Sequence, residues 1–215
     1  MTFRDILLVF LSYLLGSIPF GYILTRIKTG GDIRESGSGN IGATNVLRTQ
    51  GKALGALTLL LDFAKAATSV WICKIWGSVD SAVWLGAAGG GAAVVGHCFP
   101  FCLGFRGGKG IASGLGAFVF IAPVPTLAAL AVFILEVATL RWVSLGSILA
   151  SLTFGATMLG CHMALGWYTL PSAVLGSALS LLLVARHHAN IRKLLAGTES
   201  KLWGPGSTRA DEGAP

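Results

Sequence analysis

Apolar runs fall at about 6–27, 53–76, 80–97, 110–122, 124–140, 143–165 and 168–186, separated by short polar segments. A bilayer span needs roughly 20 apolar residues, about 17 at the short end. The first, second, sixth and seventh runs meet that length. Of the 215 residues 53% are apolar and 12% charged, and the mean hydropathy is +0.74. A soluble domain carries roughly 25% charged residues, so this chain has too little polar surface for water. Residues 110–140 are long for one helix and short for two full ones, and Pro123 and Pro125 disfavour a continuous helix there. Two short helices joined by a tight turn are expected. The 30 glycines suit close helix packing in lipid. The reading is an all-α integral membrane protein: a compact seven-transmembrane-helix bundle with some short helices, one domain over 1–199. The polar, Gly- and Pro-containing residues 200–215 are expected to form a disordered tail.

The formal net charge of +7 does not point to nucleic acid, because the basic residues sit in short loops between apolar runs. Arg26, Lys28, Arg34, Arg48 and Lys52 cluster around one loop, Arg106 and Lys109 in another, and Arg186, Arg192, Lys193, Lys201 and Arg209 near the end. Seven crossings place these groups inside, with the N-terminus outside and the C-terminus cytoplasmic. The start does not read as a signal peptide: its apolar region is long, Asp5 lies at its head, and no clear cleavage site follows.

Three segments suit neither lipid nor a packed core. The first is Ser36-Gly-Ser-Gly-Asn-Ile-Gly-Ala-Thr-Asn-Val-Leu-Arg48. Its glycines permit close backbone approach, and Ser38, Asn40, Thr44 and Asn45 carry short hydrogen-bonding groups. Arg48 adds a planar cation suited to phosphate. A helix beginning near Thr44 would aim N-terminal amides at an anion. Gly37, Gly39 and Gly42 match a dinucleotide-binding pattern, but no strand precedes them, so that reading fails. The second segment runs from Gly96 to Gly110 and carries His97, Gly107, Gly108 and Lys109. It resembles a P-loop but has Leu103 and Gly110 where that motif needs Gly and Ser or Thr. The third, Arg186 to Glu199, is a short basic stretch with an apolar stripe, and by itself reads as a membrane-surface helix.

Asp62 and Lys65 are three apart in an apolar run and are expected to pair structurally; Glu136 is weighed in the same way. Cys73, Cys98, Cys102 and Cys161 form no C-x-x-C pair, and no metal set is expected. No G-x-S-x-G elbow, H-E-x-x-H helix or H-x-x-x-x-D arrangement occurs.

Together SGSGNIGATNVLR (36–48), GHCFPFCLGFRGGKGIA (96–112) and RHHANIRKLLAGTE (186–199) resemble the motifs of the bacterial acyl-phosphate:glycerol-3-phosphate acyltransferases, the PlsY type. Order, spacing and intervening spans fit over most of the chain. Lys193 stands where Arg is common, and of the doubled histidines His187 has the family's spacing to Asn190. The resemblance implies a seven-span protein of the bacterial inner membrane with its site facing the cytoplasm. It implies attack of the 1-hydroxyl of glycerol 3-phosphate on a fatty acyl phosphate, giving 1-acylglycerol 3-phosphate and phosphate. Neither acyl-CoA nor acyl carrier protein is then the direct donor. No cofactor or metal is implied, and a monomer is expected. Ser38, Gly39, Asn40, Gly42, Thr44, Asn45, Arg48, Gly107, Gly108 and Lys109 would hold substrate phosphate. His97, His187, Asn190 and Lys109 are the catalytic candidates, with a histidine or a substrate phosphate oxygen taking the proton.

Two other functions fit the composition. An anion transporter also uses glycine breaks and helix N-termini, but it would show repeated halves and a midplane site, and this chain shows no internal repeat. A lipid-binding regulatory protein would leave both glycine motifs without a purpose.

Overall fold

The computed structural model describes residues 2–78 and 82–202. All regular elements among these are helical. They are α1 (Phe3–Gly16), α2 (Phe20–Thr29), α3 (Ala43–Gln50), α4 (Lys52–Trp76), α5 (Ala82–Cys98), α6 (Ile111–Phe118), α7 (Pro123–Thr139), α8 (Val143–Leu165), α9 (Leu170–Ala185) and α10 (His188–Leu195). Short 3-10 turns occupy Ile33–Glu35 and Phe101–Leu103.

The first apolar run is divided, not continuous. Pro19 has no N–H to continue the ladder; Ser17 and Ile18 turn back on Tyr13, Leu14 and Leu15, and α2 starts at Phe20. Residues 110–140 divide into α6 and α7, but Pro123 and Pro125 lie in the first turn of α7 and not in the connector. A proline is tolerated there because first-turn amides have no intrahelical acceptor. At 1.5 Å per residue α4 is about 37 Å long and α8 about 34 Å, whereas α6 covers only about 12 Å. By length and composition four helical stretches can cross a membrane, or five if α9 and α10, bent by 53°, are taken as one broken span.

The core combines small residues with a few large apolar ones. Ala66 and Val70 of α4, Ala93, Val94 and Cys98 of α5, Ala117 and Phe118 of α6, Met158 of α8, and Leu179 and Leu183 of α9 form one buried cluster. Close approach has a direct cause at Gly116, where a Cβ would strike the Phe63 backbone. Gly16 likewise lies on the Ala93 backbone. Large apolar side chains are turned outward: Leu60, Leu135 and Leu181 are each more than 60% exposed. An outside of that kind is suited to acyl chains, not water.

Helix α1 is tied to the polar end through Tyr13, whose hydroxyl donates to the Phe99 carbonyl at 2.9 Å. At the other end of the chain, Ser200 to Leu202 fold back, and the Leu202 amide donates to the Arg141 carbonyl at 2.8 Å. The tail expected from residue 200 therefore starts as packed backbone; residues 203–215 of that expectation lie outside the described residues.

Candidate active site

The glycine loop is organised by Asn45. Its side chain is buried, with Oδ1 accepting the Ser38 amide at 2.8 Å. Nδ2 donates to the carbonyls of Asn40 at 2.8 Å, Ser36 at 3.0 Å and Ile33 at 3.4 Å. Gly37 and Gly39 take left-handed φ of 58° and 71° to close the turn. The Gly39 amide donates to the Ser36 carbonyl at 3.0 Å, and the Gly42 amide to Asn40 Oδ1 at 2.8 Å. Gly42 lines the cavity described below, but the Gly39 and Gly42 amides, expected to face an anion, are engaged in folding the loop. Asn45, too, serves as its frame. The loop leads into α3, whose first-turn amides at Ala43 and Thr44 are left for a ligand by helix geometry.

The second segment folds back on α5. The Gly107 amide donates to the Cys98 carbonyl at 3.2 Å and that of Gly108 to the His97 carbonyl at 3.0 Å. The Arg186 guanidinium donates to the Gly107 carbonyl at 3.0 Å and to that of Gly108 at 3.1 and 3.2 Å. The amides and carbonyls of Gly107 and Gly108 are thus engaged in shaping this segment. A Cβ on Gly108 would collide with the His97 ring. What this loop presents is Lys109, whose Nζ donates to Asn190 Oδ1 at 2.5 Å. Burial lowers the Lys109 pKa to about 8; Glu199 opposes the shift, and Lys193, Arg48 and Arg186 add to it.

In the third segment the chain bends after α9. His187 is buried, and its Nδ1 lies 2.7 Å from the Leu183 carbonyl. A carbonyl only accepts, so Nδ1 carries the proton and neutral His187 has a bare Nε2. His188 is exposed, outside the cavity. Asn190 Nδ2 donates to Glu199 Oε1 at 2.8 Å, and the Ser144 hydroxyl donates to the same oxygen at 2.6 Å.

Side chains from all three segments line one cavity: Ser38, Asn40, Thr44, Asn45 and Arg48, then His97 and Lys109, then His187, Asn190 and Glu199. Asp62 of α4 and Ser144 and Ser147 of α8 complete the wall. Gly39, Gly107 and Gly108 are not part of its lining. The serines of α8 were not singled out in the sequence: they carry no motif, and their i,i+3 spacing was the only signal. Glu199 and Arg186 sit inside the third motif, which was the available clue. The Asp62–Lys65 pair forms as expected, with Nζ 2.9 Å from Oδ1. Glu136 differs: it is buried beside Gly146 of α8 with no cationic partner among the described residues.

The cavity opens directly into an apolar groove, and Leu59, Ile111, Ala112 and Phe133 line both. The groove runs along α6, α7, α8 and α9 to Phe118 and Phe154, whose rings pack 4.9 Å apart. The fold and cavity define an integral membrane protein with a cation-lined cavity continuous with an apolar groove.

The chain belongs to the glycerol-3-phosphate acyltransferase family, whose model matches residues 6–197. It is 46% identical over 191 residues to the glycerol-3-phosphate acyltransferase of Syntrophotalea carbinolica, covering 88% of this chain and 93% of that one. It is 42% identical over 202 residues to that of Anaeromyxobacter sp. strain Fw109-5, covering 94% and 98%. The crystal structure of PlsY, an integral membrane glycerol 3-phosphate acyltransferase, in its glycerol 3-phosphate form superposes with a TM-score of 0.83 at 36% identity, covering 93% of this chain and 96% of that one. Its lysophosphatidic acid form gives 0.79 at 35% identity, covering 92% and 94%.

Proposed function

We propose that this protein transfers a fatty acyl group from acyl phosphate to the 1-hydroxyl of glycerol 3-phosphate. The products are 1-acyl-sn-glycerol 3-phosphate (lysophosphatidic acid) and phosphate, in bacterial phospholipid synthesis. The observation that carries this reading is the junction of the cationic cavity and the apolar groove at Ile111, Ala112 and Phe133. An acyl phosphate has those two halves joined at its carbonyl. Its chain lies in the groove, its carbonyl at the junction, and its phosphate among Arg48, Lys109, Ser38 and the first amides of α3. Glycerol 3-phosphate brings a second phosphate to the same cationic wall.

Phosphate is already a good leaving group. Most of the rate then comes from placing the hydroxyl on the carbonyl and from donors facing the developing charge. Asn190, held between Lys109 and Glu199, orients a substrate oxygen. Of the two histidines, His187 has a bare nitrogen able to accept the hydroxyl proton; a substrate phosphate oxygen is the other acceptor.

Seven crossings, with α6 and α7 as a short pair, put the basic loops inside and the site on the cytoplasmic side of the bacterial inner membrane. The C-terminus then faces the cytoplasm and the N-terminus the outside. Residues 1–199 act as one monomeric domain without metal or cofactor.

Purified protein in detergent, supplied with acyl phosphate and labelled glycerol 3-phosphate, tests this. The expected result is lysophosphatidic acid without acyl-CoA or acyl carrier protein. Product formed only from acyl-CoA, or none from folded protein, would contradict it.

A further inference from the structure

In the wall of the cavity, α4 and α5 share a buried cluster to which the proposed function assigns no task. Lys65 Nζ lies 2.9 Å from Asp62 Oδ1, 2.8 Å from the Ile18 carbonyl oxygen and 3.0 Å from His97 Nδ1. All three side chains are less than 5% exposed. An ammonium has three N–H donors and no lone pair. Asp62 Oδ1 and the Ile18 carbonyl each take one donor, which leaves the third for His97 Nδ1 as a lone-pair acceptor. A proton on Nδ1 would place two donors against each other at 3.0 Å. Nδ1 also lies 3.3 Å from Asp62 Oδ1, the longer of its two polar contacts.

A neutral imidazole with a bare Nδ1 carries its proton on Nε2. That nitrogen faces Gly108, the residue before Lys109, where a Cβ would first meet it. His97 lines the anion cavity. The arrangement is the reverse of His187, whose Nδ1 donates to a carbonyl.

We infer that Asp62 and Lys65 are positioning residues that hold His97 as the Nε2–H tautomer, making His97 a hydrogen-bond donor to a negatively charged substrate oxygen and not a proton acceptor. The inference rests on the reading of the cavity as a site for phosphate-bearing substrates. Asp62 keeps Lys65 charged at membrane depth, where an unpaired ammonium is costly. Lys65 in turn blocks Nδ1. Without it, the Nδ1 proton finds Asp62 as its acceptor, and Nε2 turns a lone pair toward the anion.

Ring ¹⁵N NMR of histidine-labelled protein in detergent reads the tautomer directly, with His97→Gln assigning the signal. In the wild type Nε2 should be protonated and Nδ1 bare, and the Nε2–H signal should move on saturation with glycerol 3-phosphate or inorganic phosphate. In Lys65→Met the proton should move to Nδ1. The kcat per folded molecule should fall by about a hundredfold, the scale of one lost transition-state donor. Lys65→Arg should recover part of that loss. A purely structural role would lower the folded yield and leave kcat per folded molecule unchanged. Wild-type His97 protonated at Nδ1, or folded Lys65→Met with wild-type kcat, would overturn the inference. Should Lys65→Met not fold, the wild-type spectrum still decides. A wild type with the expected tautomer but no acyl transfer would contradict the proposed function and support the tautomer assignment.

Discussion

Lys109 Nζ and Asn190 Oδ1 meet at 2.5 Å although 81 positions separate them in the chain. The contact joins the second and third polar segments at the wall of one cavity. It also leaves Lys109 buried among other cations, which is why its pKa falls to about 8.

That shift has a sign. If Lys109 holds phosphate as proposed, it does so as the ammonium, and kcat/KM should fall as pH rises through about 8. Stability runs the other way: the folded value lies below the ordinary 10.5, so the unfolded chain binds more protons between the two. The cost of burying the charge is therefore present below pH 8 and relieved as pH rises toward 10.5. A pH–rate profile of the wild type and Lys109→Arg checks this. The substituted enzyme should lose the alkaline limb, since guanidinium does not titrate there.

Arg48 lines the cavity one turn into α3. A charge-assisted contact contributes about 1.5–3 kcal/mol. Arg48→Ala should thus lower kcat/KM roughly tenfold to a hundredfold, with most of the effect in KM if the contact is equal in ground and transition states. Steady-state kinetics with varied glycerol 3-phosphate, at fixed acyl phosphate, separates the two terms.

His187→Gln removes the bare Nε2 while keeping a polar side chain. If that nitrogen takes the hydroxyl proton, kcat should drop about 10²- to 10⁴-fold with little change in KM. If a substrate phosphate oxygen takes it, kcat stays within a few-fold. Single-turnover rates with both substrates saturating distinguish the outcomes.

The groove ends at Phe118 and Phe154, and Ala150 lines it between the cavity and that end. Ala150→Phe should fill its middle and lower kcat/KM for long acyl phosphates more than for short ones. A pocket contact is worth about 1–3 kcal/mol per methylene, so the length preference should shift at least tenfold. Competition between acyl phosphates of two lengths in one reaction measures it.

Much of the fold was legible because hydrocarbon demands long apolar helices, and Pro123 marked a real boundary. Pro19 was passed over because apolar residues continue on both sides of it. The cavity's side chains, from Ser38 to Asn190, could be read because cations and small polar groups are conspicuous between apolar runs. Which atoms face the ligand could not. The Gly39, Gly42, Gly107 and Gly108 amides are taken up by Asn40 and by backbone carbonyls, and periodicity carries no information on such bonds. Ser144 and Ser147 reach the site only because α8 packs beside α7 and α9, a tertiary fact without local signature.

The cationic cavity and the apolar groove are proposed to be two ends of one substrate site. Calorimetric titration with a non-reactive acyl phosphonate tests this most directly. One molecule should bind per chain, more tightly as the chain lengthens, with affinity lost in Arg48→Ala and reduced in Ala150→Phe. Binding that ignores chain length, or that responds to only one of these two substitutions, would contradict it.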